Sequence, residues 1–158
     1  MIKLRHAMLT LAALGVTLAI AVPALAAAPR IGILHLTKEC SEYTGEAGSF
    51  CTITSSNLNA FPVGTHDIAV AAAAADGALN TDLIFDTGTD RAFGHLVICG
   101  PCRVGKITFD GGTGAFKTFH ARLVIYCPAS RVTLPDGRVV DCRIDGLYWF
   151  AKNPWKSA

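Results

Sequence analysis

Cys99-Gly100-Pro101-Cys102 carries two thiols at the two-residue gap of a redox dithiol. Such a pair works when its first thiol sits at a helix N-terminus, where the helix dipole stabilises the thiolate. Here an apolar run precedes the pair and the strand-like run Val104 to Asp110 follows it, so no helix is offered. Gly-Pro also suits a tight turn, and a structural disulfide is the stronger reading. Gly111-Gly112-Thr113-Gly114 has the glycines of a phosphate cradle. It lacks both the Lys-Ser/Thr ending and the dinucleotide-type spacing that such cradles need. A glycine-rich turn or bulge accounts for it. The four histidines beyond His6 are His35, His66, His95 and His120, and none is paired at i, i+2 or i, i+4. That spacing is no metal signature, and neither a metal nor a cofactor is expected.

Leu83-Ile84-Phe85-Asp86-Thr87-Gly88-Thr89 resembles the active-site loop of aspartic peptidases, in which an apolar strand delivers Asp-Thr-Gly. A chain with one such motif would complete the site by dimerising, so that two close carboxylates share a proton. The resemblance also calls for a later glycine behind two apolar residues, to buttress the loop. Gly137 follows Pro135-Asp136 and Gly146 follows Ile144-Asp145, so neither fits. A hairpin turn is the stronger reading, with Asp86 and Asp90 bonding backbone and Gly88 at positive φ.

The segments that must hold these motifs begin with an export signal over residues 1–26. Lys3, Arg5 and His6 make a positive start, Ala7 to Val22 is apolar, and Ala24-Leu25-Ala26 offers a cleavage site. An apolar run of about 16 residues falls short of the roughly 20 that span a bilayer, so no stable membrane insertion is expected after cleavage. Removing Lys3 and Arg5 takes the formal charge of +2 to zero. A nucleic-acid partner thereby loses its electrostatic motive. With 51% apolar and only 16% charged residues in 158, the chain is also not a disordered one. Residues 27–158 form a single domain, secreted or periplasmic.

Export gives the cysteines their meaning. Cys40, Cys51, Cys99, Cys102, Cys127 and Cys142 all follow the signal, and an even number in an oxidising compartment points to disulfides. Sequence leaves the pairing open. Spacing favours neighbours, with Cys40 and Cys51 flanking Gly45 and Gly48, and Cys127 and Cys142 bracketing a turn-rich stretch. A zinc site is the weaker reading of one CxxC without a partner motif. Short β-rich runs alternate with turn signals: Ile31 to Leu36, Phe50 to Thr54, His66 to Ala75, Leu79 to Asp86, Arg91 to Cys99, Val104 to Asp110, Phe116 to Cys127 and Val139 to Ala151. The five alanines within His66 to Ala75 favour helix, but Ile68, Val70 and Asp76-Gly77 read as a strand before a hairpin. Closure into a barrel is favoured, because it removes edges that so few charges could guard.

Ala92-Phe93-Gly94-His95, Gly105 to Phe109, Gly111 to Phe116 and Phe119-His120-Ala121 together resemble the allene oxide cyclase and dirigent-like barrels. They are most similar to small exported bacterial proteins of that type. Cys51 to Leu58 and Asp145-Gly146-Leu147-Tyr148 fit the same pattern. The resemblance covers roughly residues 49–150 and implies an all-β, calycin-like, eight-stranded antiparallel barrel with an apolar interior, stapled here by disulfides. The cyclase's active-site residues have no counterparts that can be placed on this chain. On strand alternation His95 shares a face with Phe93 and Val97, and His120 with Phe116, Thr118, Arg122 and Val124. These mixed faces put His95, His120, Arg122 and Tyr126 forward as the polar lining of a barrel pocket. The expected function is non-catalytic binding of a small apolar ligand. The alternatives are an isomerase or cyclase acting on an unsaturated lipid or terpenoid, and then a single-motif aspartic peptidase.

Overall fold

The structure is a computed structural model and describes residues 31–151. The signal read over residues 1–26 lies outside the described residues. In chain order the strands are β1 (Ile31–Glu39), β2 (Phe50–Ser56), β3 (His66–Ala69), β4 (Leu79–Asp86), β5 (Arg91–Cys99), β6 (Val104–Gly112), β7 (Phe119–Tyr126), β8 (Val132–Thr133), β9 (Val139–Val140) and β10 (Cys142–Phe150). Eight of them close an antiparallel barrel in the order β1-β10-β7-β6-β5-β4-β3-β2. β8 and β9 form a separate small hairpin between β7 and β10.

Three segments depart from the sequence reading. β3 ends at Ala69 instead of Ala75, because the backbone groups that follow find loop partners. Ala71 N–H donates to Thr81 Oγ1 at 2.7 Å, and Ala73 N–H to the Gly45 carbonyl at 2.8 Å. Alanine side chains bury little surface, so nothing holds this stretch in the wall. Phe116 lies in a short 3-10 turn (Gly114–Phe116) and enters the core from there. The last run divides at Asp141, whose carboxylate holds Cys40 N–H at 2.6 Å and the Arg131 guanidinium at 2.9 Å.

Alternation sorts each wall strand into an inner and an outer set. In β7, Phe119, Ala121, Leu123 and Ile125 are buried, while Arg122, Val124 and Tyr126 are exposed. An eight-stranded barrel has an interior just wide enough for side chains. Here phenylalanines take most of it at the end where β1 begins and β10 finishes. Phe61, from the β2–β3 loop, stacks on Phe116 at 4.7 Å between centroids and meets Phe85 and Phe119 edge-on at 5.2 and 5.3 Å. Phe109 joins Phe85 at 4.9 Å. All five rings are essentially inaccessible to solvent. This end of the barrel is plugged.

Candidate functional site

The opposite end is built differently. Three of its four loops are closed by disulfides: Cys40–Cys51 between β1 and β2, Cys99–Cys102 between β5 and β6, and Cys127–Cys142 between β7 and β10. These are the neighbour pairings that spacing favours, and they suit an oxidising compartment. The fourth loop is the alanine-rich one, and it rests against the Cys99–Cys102 turn. A Cβ on Gly100 would fall 2.1 Å from the Asp76 carbonyl oxygen, so only glycine allows the two loops to touch.

Inside this stapled end the core turns polar. Lys38 continues the inward register of Leu34 and Leu36 on β1, and Asp67 faces in from β3. Their side chains are 7% and 1% exposed, with Lys38 Nζ 2.5 Å from Asp67 Oδ2. Two buried charges at this separation cancel, which offsets the cost of removing them from water. Asp67 Oδ1 and the Tyr43 hydroxyl oxygen are also buried, and neither has a hydrogen-bond partner among the described residues. Burial, and then the neighbouring Asp67 charge, push the Tyr43 pKa up, so it stays a phenol with a proton to donate. Lys38, Tyr43 and Asp67 line a cavity of about 80 Å³ together with Leu79, Leu83, Leu96, Ile98 and Ile125. Tyr43, Leu79, Ile98 and Cys127 also line a second depression of about 310 Å³, rimmed by Asp76, Gly100 and Arg103. The small cavity thus sits beneath a wider surface hollow.

His95, His120, Arg122 and Tyr126 stand elsewhere. All four belong to the outward-facing sets of β5 and β7, so the interior lining expected of them is corrected. The physical reason is that the outer wall is itself partly apolar, and Phe93, Val97 and Val124 are exposed. An apolar neighbour on the same face therefore does not mark the inside. His95 bonds Asp82 at 3.0 Å and Asn80 at 2.8 Å on β4. His120 stacks on Trp149 at 5.4 Å, and Arg122 lies 5.7 Å over the same ring. Both contact Asp110, Arg122 at 3.2 Å and His120 at 3.5 Å. Burial pushes the Asp110 carboxyl up, but bonds from Arg122 and His120 outweigh it and hold it below the ordinary value. Tyr126 is remote, opposite Arg143 and Val104. Each described histidine in fact faces an aspartate on an adjacent strand: His35 and Asp145, His66 and Asp86, His95 and Asp82, His120 and Asp110.

The motifs take their quieter roles. Asp86 Oδ1 accepts Gly88 N–H at 2.8 Å, and its other oxygen holds Arg91 at 2.9 Å. The Gly88 bond first, together with Arg91, keeps the Asp86 carboxyl low, unlike a carboxylate poised to share a proton. Gly88 has φ +87°. Gly114, at φ +48°, would set a Cβ 1.6 Å from Asp90 Oδ1, and Ala115 N–H donates to that same carboxylate at 3.2 Å. The glycine-rich run is thus a β-turn and bulge holding Asp90. Among the described residues no three His, Cys, Asp or Glu are grouped to hold a metal.

Lys38, Asp67 and Tyr43 went unread in the sequence. Lys38 had a signal, since it stands two residues after Leu36 on an inward face. Asp67 had a misleading one, because its neighbour Ile68 looks like the core residue and faces outward. Compared with protein-family models, curated proteins and solved structures, the chain matches none.

Proposed function

We propose that this is an exported, non-catalytic barrel that takes a small, largely apolar ligand at its disulfide-stapled end. The observation that carries the reading is the 80 Å³ cavity with two unpartnered buried polar atoms, beneath an open hollow. Pockets of mainly apolar lining with a few convergent polar groups are the usual form of small-molecule sites. Export is supported by the signal-like residues 1–26 and by three disulfides. Kinship with allene oxide cyclase-like barrels rests on the motif resemblance over residues 49–150, with which the closed eight-stranded wall is compatible. The phenylalanine plug weighs against an isomerase or cyclase that must enclose a lipid or terpenoid. The bonded, low Asp86 weighs against a peptidase.

Ala69 lines the cavity and is almost fully buried, so Ala69→Leu fills it from one wall. Native mass spectrometry of protein purified from its source should show a co-purifying small molecule that Ala69→Leu loses. A clean protein mass for both, with no fragment binding near Leu83 or Ile125 by NMR, would refute the reading. Recognition of another protein is the second reading, favoured by Phe93, Val97, Val124 and Tyr126, all exposed on the outer wall.

A further inference from the structure

We infer that the ligand of the stapled end presents a neutral hydroxyl group to Tyr43 and Asp67. This rests on the reading that the cavity takes a ligand. Asp67 Oδ1 is an acceptor, and its sister oxygen is occupied by Lys38. The Tyr43 hydroxyl keeps its proton and donates it. A single hydroxyl oxygen placed between them would serve both, accepting from Tyr43 and donating its own hydrogen to Asp67 Oδ1. Leaving two such atoms unpaired in a buried site is costly, so a group that pairs both is selected strongly.

Charge decides the remainder. Lys38 already neutralises Asp67, so the site has no net charge to offer. A carboxylate ligand would bring a second anion beside Asp67, with no proton to give Oδ1. An ammonium would donate to Oδ1, but it would sit beside Lys38 Nζ as a second desolvated cation. A neutral alcohol pays neither cost. Size agrees, since water occupies about 30 Å³ in the liquid and a cavity of 80 Å³ holds a hydroxyl with a short alkyl stem. The stem packs on Leu83, Leu96 and Ile125, and a longer body leaves past Leu79 and Ile98 into the outer hollow.

The test is a methyl NMR titration of the disulfide-bonded protein at pH 7 with 1-propanol, propylammonium, propionate and xenon. We expect saturable 1-propanol shifts at Leu83, Leu96 and Ile125, with both ions at least tenfold weaker. Tyr43→Phe removes a hydroxyl that has no partner among the described residues, so it breaks no bond described in the fold. It should weaken 1-propanol at least fivefold relative to xenon. The hydroxyl inference is overturned, with the cavity reading intact, by three outcomes. They are an ion binding as tightly as the alcohol, a Tyr43→Phe protein that binds 1-propanol unchanged, and xenon binding alone. If neither 1-propanol nor xenon moves these methyls, the cavity takes no ligand and the underlying reading falls too.

Discussion

Removing one partner of the Lys38–Asp67 pair should cost far more than removing both. In Asp67→Ala the Lys38 ammonium loses a carboxylate 2.5 Å away while its side chain stays only 7% exposed. Stranding a buried charge in this way costs about 3–5 kcal/mol. For a domain of this size each kcal/mol moves Tm by roughly 3–5 °C, so a fall of about 9–25 °C is expected. Lys38→Met strands the Asp67 carboxylate instead, at a comparable cost. The double variant Lys38→Met/Asp67→Leu leaves no stranded charge and should recover most of the loss. Thermal melts followed by circular dichroism, without reductant, give all these quantities. Charge stranding is refuted if either single variant costs less than about 1 kcal/mol, or if the double variant costs the sum of the two.

Gly114→Ala should destabilise by about 1–3 kcal/mol, because positive φ and the Asp90 carboxylate both oppose a Cβ there. Gly137→Ala, also at positive φ but facing open space, should cost about 1–2 kcal/mol from the backbone conformation alone, by calorimetry. Replacing Cys127 and Cys142 together by serine opens a 15-residue loop and should cost about 3 kcal/mol in urea titration. Losing Cys99–Cys102, three residues apart, should cost about half as much. The native protein should show no free thiols and no acceleration of insulin reduction. Asp86, Asp110 and Asp145 are each held below the ordinary carboxylate value. Their pairing therefore stabilises the fold above the unfolded pKa, near 3.8, and is lost as pH falls through their lower folded values. Partial exposure discounts each to about 0.2–1 kcal/mol, so Asp86→Asn should flatten the acid limb of the stability curve only slightly.

The eight wall strands and their closure were legible because turn residues punctuate the chain, whereas the cysteine pairing stayed open and spacing only favoured neighbours across those turns. Facing was less legible. His120 shares parity with Phe116, yet Phe116 is buried while His120 points outward. The 3-10 turn at Gly114–Phe116 breaks the phase between them, and alternation holds only within one unbroken strand. Asp67 and Ile68 show the converse difficulty, since a short strand of four residues gives too few positions for its pattern to outvote one isoleucine. The polar site escaped notice because its three members come from β1, the next loop and β3. Only the closed ring brings them together.

Every joint of this ring but one links strands that follow each other along the wall, and the three bridges tie residues 11, 3 and 15 positions apart. The exception is the seam between β1 and β10, where Ile31 to Lys38 meets Trp149 to Cys142 with no disulfide across it, and where the His35 side chain finds Asp145 from 110 positions away. Oxidation can therefore be complete while the sheet is still open. The entropy of ring closure is concentrated in one long-range event, the slow class of contact in folding. Until that event, the meander displays two bare edges that are complementary by construction. At high concentration the β1 edge of one chain competes for the β10 edge of another. Crowding during refolding thus acts on yield through strand exchange at this seam, whatever the stability of the finished barrel.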